Sequence, residues 1–302
     1  MSETDVWDAL IVGGGPAGLS AAIWLARYHR SVLVLDSGEP RNQPTWAVHG
    51  FPGLPEVPPL TLRRRLRDQA EAAGARVRAA LASECHGRKD GFDLRLADGP
   101  VLRARRVLFA FGRQDVVPEI EGMEAAFGIS VFHCPDCDGP TVRGRSVAVL
   151  GSDAEAVALA LFLTPWASRL TLIAAESPAP QLRARLDRAG VETRSGSVKR
   201  LRSTDGLLES IDLDDGAALP ADALFFHLGT YPACELAQAL GCDCDTGGHV
   251  SVDHGQETSV PGIYAAGDLT GHPYLAIAAA ADGVRAALSI HRSLLPAELE
   301  LG

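Results

Sequence analysis

Residues 9–18 read ALIVGGGPAG and residues 146–156 read SVAVLGSDAEA, and these two stretches decide the fold. In each, an apolar run ends in a glycine turn and leads into a helix. The first helix is expected through Leu19 to Tyr28 and leads to a second buried strand, SVLVLD, ending at Asp36. The second motif continues as the helix VALALFL and the strand RLTLI. Strands that are apolar almost throughout are the kind that parallel sheets bury on both faces. Two such βαβ units predict an α/β protein with two dinucleotide-binding-type (Rossmann-like) three-layer domains.

Gly13, Gly15 and Gly18 fit the GxGxxG spacing between a strand and a helix. The first glycine permits the tight turn, the second lets a pyrophosphate approach the backbone, and the third allows close helix–strand packing. Asp36 stands about 20 residues on, where a carboxylate can accept from ribose hydroxyls. The motif alone leaves FAD and NAD both open. Between the units lie a Pro-rich loop, roughly residues 38–60, and the charged helix LTLRRRLRDQAEAAG. Further strands, YAAGD at Tyr264–Asp268 and a last helix over Leu275–Arg292 close the chain.

The chain has 302 residues, enough for two domains, with 46% hydrophobic and 22% charged residues. A net charge of −10 argues against nucleic acid or anionic membrane as partner, since both require a basic face. No apolar run reaches the ~18 residues of a membrane span, and the start MSETDVWDAL lacks the features of a signal peptide. The expected location is the cytoplasm.

Six cysteines are too few for a disulfide scaffold, which turns attention to the close pair in His133-Cys134-Pro135-Asp136-Cys137-Asp138-Gly139. A CxxC places two sulfurs within bonding distance across one turn, and the first turn of a helix stabilises thiolate. Asp138 can shuttle the proton that moves when a disulfide opens. A zinc site would need Cys242 and Cys244, whose C-x-C spacing fits no common knuckle, so no metal is expected. Cys85 and Cys234 read as isolated structural residues, and His133 as an ordinary flanking histidine.

GGGPAG, then HGFPG at His49–Gly53, CPDCDG, a second nucleotide motif and AAGD before a final helix come in one order. In that order the chain resembles the low-molecular-weight thioredoxin reductases over nearly its whole length. The resemblance implies FAD as cofactor, a homodimer, and a disulfide domain inserted into a discontinuous flavin domain. The flavin domain would span 1–114 and 248–302, with the redox-disulfide domain at 115–247. Cys137 would face the flavin, Cys134 would exchange with substrate, and Asp138 would act as acid–base group. Besides the glycines and Asp36, the cofactor would meet Pro16, Ala17, Arg41, Asn42, Gly112, Gly267, Asp268 and Ala276, with Asp268 holding the ribityl chain.

The departures are concentrated in the second nucleotide motif. The family's GGGxSA reads Gly151-Ser152-Asp153-Ala154-Glu155-Ala156 here, and its HRR cluster reads Ala174-Ala175-Glu176. A carboxylate at Asp153 would meet a pyrophosphate at close range. The lost cations would each contribute about 1.5–3 kcal/mol to phosphate binding. The family's Arg-Gln pair beside the flavin reads Tyr274-Leu275. The NADPH site is therefore expected to be dismantled, as in ferredoxin-linked and diflavin-linked relatives and in gliotoxin- or holomycin-type dithiol oxidases. The expected enzyme passes electrons between FAD and the Cys134–Cys137 disulfide, in the dithiol oxidase direction. Its partner would be a small dithiol or disulfide, or a thioredoxin-like protein. The rivals are a thioredoxin reductase fed by ferredoxin or an atypical NAD(P)H site, and a flavin-bound redox sensor without turnover.

Overall fold

The computed structural model describes residues 6–231, 234–271, 273–296 and 298. The chain divides into two compact units, and the second is inserted within the sequence of the first. Both are α/β units of Rossmann-like architecture, as the paired motifs predict.

In the first unit the strand Val6–Val12 sits centrally in a seven-stranded sheet. It pairs in parallel with Val32–Asp36 on one side and Val101–Phe109 on the other. Ile263–Ala265 and Arg76–Ala79 extend the parallel part, while Ala82–Arg88 and Gly91–Leu96 form an antiparallel ribbon branching from it. Both faces are buried. Leu19, Leu25, Val34 and Ala286 build a core under the helices, and Leu10, Leu35, Phe92 and Phe109 build the other. The helices Pro16–Arg27 and Ala276–Ser293 approach so closely that a Cβ on Gly283 would fall 2.0 Å from the Ala17 carbonyl oxygen. Only glycine permits that crossing.

The second unit holds a parallel five-stranded sheet in the order Glu192–Ser195, Arg169–Ala174, Ser146–Leu150, Ala223–Phe226, Val131–Phe132. An antiparallel sheet of Val198–Thr204, Leu207–Leu213 and Ala218–Pro220 packs its apolar side with Ile173, Leu224 and Phe226.

The unit boundaries differ from the sequence-based ones in two places. Residues 230–247 belong to the first unit, because Cys234, Ala237 and Cys242 enter its core with Cys85 and Phe92. Residues 44–49 belong to the second. There the Trp46 amide donates to the Gly128 carbonyl at 3.3 Å, and Pro44 packs on Gly128. Among the described residues, no helix is long and apolar enough to cross a membrane. Residues 1–5 of the acidic N-terminus lie outside the described residues.

Candidate active site

The two glycine turns end differently. At the first, Gly13 takes φ +116°, and a Cβ there would fall 2.3 Å from the Ala110 carbonyl oxygen, so the turn requires glycine. Gly15 is the residue before the helix Pro16–Arg27; among the described residues no side chain caps that helix end, and a Cβ on Gly15 would meet nothing within 4 Å. Pro16 at the first helical position costs no hydrogen bond, because that N–H would point out of the helix anyway. The result is an open helix N-terminus with backbone donors facing space, which suits a pyrophosphate. Gly18 lies tight on the turn, since its Cβ would fall 2.0 Å from the Gly13 carbonyl oxygen.

The other residues expected on the cofactor gather in the same unit. Gly267 packs on Ala17, with a Cβ 3.1 Å from that of Ala17, so AAGD meets GGGPAG. Arg41 and Asp268, 227 residues apart, form an ion pair at 2.8 Å. Asn42 is half-buried beside Arg41, Gly112 takes φ +69° against open space, and Ala276 opens the last helix. Asp36 ends its strand as expected, but its carboxylate already has partners. It accepts from the Gly38 amide at 3.0 Å and pairs with Arg63. Arg63 was invisible in sequence, where its RRR run reads as a solvated helix face.

At the second turn the corresponding position is Asp153, whose Oδ1 accepts from the Ala156 amide at 2.8 Å. The side chain caps its own helix, Ala154–Phe162, and occupies the donor that a bound phosphate would need. Ala174 is buried at the end of its strand, and Ala175 and Glu176 are exposed beyond it.

Cys134 and Cys137 are joined as a disulfide with their Cα atoms 5.4 Å apart. Cys134 precedes a single helical turn, Pro135–Asp138, and its Sγ accepts from the Cys137 amide at 3.1 Å. Gly139 backs this turn against the Trp166 ring, where a Cβ would fall 2.7 Å away. Asp138 is 5% exposed, and its Oδ1 has no hydrogen-bond partner among the described residues. Burial pushes its carboxyl up from 3.8 to about 7. A carboxyl poised near neutrality can both give and take a proton.

His133 is held more firmly than an ordinary flanking residue. Its Nε2 lies 3.4 Å from the Asp115 carboxylate, and the rings of Phe127 and Phe226 stand 5.9 and 6.4 Å away. Asp115 gave no signal in sequence. Phe127 also lines a mostly apolar cavity of about 550 Å³ with Pro44, Val117, Ile120 and Met123, to which Glu119 and Glu124 add two carboxylates. The remaining thiols are not isolated as the sequence suggested. Cys85, Cys234 and Cys242 share one core and Cys244 packs against it. Burial pushes the Cys85 thiol up to about 12, so at neutral pH it stays protonated and inert. Among the described residues, no group of three or more His, Cys, Asp or Glu is placed to hold a metal ion.

An open dinucleotide turn in one Rossmann-like unit and a CxxC disulfide beside a buried carboxyl in the other define a disulfide oxidoreductase of the two-nucleotide-domain flavoprotein class. The pyridine nucleotide-disulphide oxidoreductase family matches residues 7–283, and the chain belongs to that family. It is a thioredoxin reductase-like, FAD-dependent enzyme. It is 33% identical to thioredoxin reductase tcpT of Claviceps purpurea over 89% of this chain and 88% of that one. Thioredoxin reductase of Bacillus subtilis is 28% identical, again over 89% of this chain and 88% of its own. The crystal structure of HlmI superposes with a TM-score of 0.92 at 31% identity, covering 97% of this chain and 94% of that one.

Proposed function

We propose that this enzyme oxidises a small dithiol through Cys134–Cys137 and FAD, without using NADPH. The observation that carries the reading is the contrast between the two glycine turns. The first is open and uncapped at Gly15, whereas the second is closed by the Asp153 carboxylate on the Ala156 amide. A nicotinamide dinucleotide would have to displace that cap, meet a like charge, and do without cations at Ala174, Ala175 and Glu176. The tight turn at Gly151, φ +136°, is retained, and NADH lacks the 2′-phosphate those cations would hold, so NADH is tested beside NADPH as a rival donor.

In this reading FAD is held by the Gly13–Gly18 turn with Pro16 and Ala17, by Asp36, Arg41, Asn42 and Gly112, and by Gly267, Asp268 and Ala276. When bound, it supplies the two-electron acceptor that reoxidises the cysteine pair. The chain's own residues perform the exchange. A substrate thiolate attacks Cys134 Sγ, the S–S bond breaks, and its electron pair goes to Cys137. The second substrate thiol then attacks the mixed disulfide, the product leaves with its own S–S bond, and Cys134 departs as thiol. Asp138 gives and takes the proton at the sulfurs, the task its buried carboxyl near 7 suits. A cavity of about 550 Å³ beside His133 has the size of a small-molecule site, which favours a small dithiol over a protein substrate. Electrons would continue to an acceptor such as dioxygen or a second flavin, in a cytoplasmic homodimer.

The test is anaerobic absorbance of the purified protein with NADPH, NADH and dithiothreitol added in turn. Dithiothreitol should bleach the flavin, and millimolar nucleotide should not. Saturable bleaching by either nucleotide at micromolar concentration would return the protein to the conventional reductases.

A further inference from the structure

Within the first unit, a carboxylate, an imidazole and a phenol stand in line. His249 Nδ1 lies 2.9 Å from Asp245 Oδ2, and its Nε2 lies 2.7 Å from the Tyr274 hydroxyl. An ionised carboxylate can only accept, so Nδ1 carries a proton, and in the neutral imidazole the Nε2 lone pair accepts from the Tyr274 O–H. We propose that Asp245, His249 and Tyr274 form a proton relay at the cofactor site of this unit, with the Tyr274 hydroxyl as the exchanging group and His249 and Asp245 as its positioning residues. The proposal rests on the flavin reading above.

The arrangement is built rather than incidental. The imidazole is seated between two glycines: a Cβ on Gly247 would fall 2.9 Å from its Cε1, and one on Gly271 would fall 2.9 Å from its Cγ. The loop that carries it is clamped from both sides. Asp245 Oδ1 accepts from the amides of Gly247 and His249 at 2.8 and 2.9 Å. Arg113, itself 4% exposed, donates to the carbonyls of Gly247 and Gly248 at 2.7 and 2.9 Å. The His249 amide and ring together hold the Asp245 carboxyl below its usual range, which keeps it an acceptor.

At its other end the line reaches residues expected on the cofactor. The Arg41 guanidinium lies 4.6 Å from the Tyr274 ring centroid, and the same guanidinium pairs with Asp268. Ala276 begins the last helix two residues after Tyr274. Among the described residues, the charged and titratable groups around the imidazole are Asp245 on its own loop, Arg113 beneath that loop, Tyr274 across from it, and Arg41 behind the phenol.

A relay here meets a definite need. A dithiol gives up two electrons and two protons in closing to a disulfide. An acceptor that keeps both electrons but only one proton leaves one proton to be carried off. A proton delivered to the Tyr274 hydroxyl at the cofactor site displaces that hydroxyl's own proton onto His249 Nε2, and the resulting imidazolium, paired with Asp245, releases one proton to solvent. The reverse sequence returns a proton when the acceptor is reoxidised.

The test uses flavin-loaded enzyme labelled with ¹⁵N-histidine, as wild type, Tyr274→Phe, His249→Gln and Asp245→Asn. By NMR, wild-type His249 should show Nδ1 protonated and Nε2 as an acceptor, and the Nε2 resonance should move in Tyr274→Phe. In stopped flow with dithiothreitol, Tyr274→Phe and His249→Gln should slow flavin bleaching at least about ten-fold. Wild type should be slowed in deuterated solvent, and both variants should lose that slowing. Flavin bound in all variants, with rates and isotope effects equal to wild type, would overturn the relay and reduce these contacts to a loop clip. Wild-type protein without flavin would overturn the flavin reading and the relay together, so the two failures are distinguishable.

Discussion

Replacing Asp138 with asparagine should make the protein less active and, at alkaline pH, more stable. The carboxyl is buried, its Oδ1 has no partner among the described residues, and it rises from 3.8 to about 7 because ionising it there is costly. That difference corresponds to a penalty of about 4 kcal/mol on the charged form. The sign follows from proton uptake. Between about pH 4 and pH 7 the folded protein holds this proton and the unfolded chain has lost it, so stability falls as pH rises through that window. Wild type should therefore lose about 2.5 kcal/mol from this group between pH 5 and pH 8. The isosteric amide carries no charge at either pH, so Asp138→Asn should be free of that loss. In single-turnover reduction of the flavin by dithiothreitol, the same variant should be about 10²–10⁴-fold slower, and the ionisation near 7 should vanish from its pH profile. Denaturant unfolding of the disulfide-intact proteins at several pH values supplies the stability arm. Parallel stability profiles for the two proteins, or an unchanged rate profile, would refute the assignment of Asp138 as a buried acid–base group.

Gly15→Val should fold with the melting temperature of flavin-stripped wild type and emerge colourless, because its side chain points into space that only a cofactor would fill; a fully yellow variant would remove that turn from the flavin site. Asp153→Gly should cost only a few tenths of a kcal/mol in stability and should tighten nicotinamide binding at least about ten-fold, measured by calorimetry. Unchanged binding would acquit Asp153 of closing the site. Arg106 is 1% exposed and bonded to the Ser293 hydroxyl and carbonyl as well as to the exposed Asp90, so Arg106→Ala, which strips the Ser293 carbonyl of its buried donor, should cost about 1–3 kcal/mol, read as a drop in melting temperature.

What the sequence made legible is what local chemistry fixes. A glycine turn between a strand and a helix is written in consecutive residues, and so is a CxxC followed by Asp138. Both appear in the structure where the spacing put them. Contacts between distant segments left no such trace. Arg63 reaches Asp36 across 27 residues, Arg41 reaches Asp268 across 227, and His249 reaches Tyr274 across 25. The Arg41–Asp268 pair joins two residues already expected on the cofactor, but Arg63 and Asp115 could not be told from solvated charges. The placement of residues 230–247 failed for the same reason: Ala237 and Cys242 belong with Phe92, and nothing in their own stretch says so. Asp153 is the instructive intermediate case. Its identity signalled a damaged nucleotide motif, while its role as a helix cap needed the geometry.

The central claim is that electrons pass from a dithiol through Cys134 and Cys137 to the flavin with no nicotinamide involved. Anaerobic stopped-flow bleaching of the flavin by dithiothreitol, in wild type and Cys137→Ser, tests it most directly. Wild type should bleach within seconds to minutes, whereas Cys137→Ser should keep its flavin and stay yellow. Bleaching of Cys137→Ser at the wild-type rate would contradict the account.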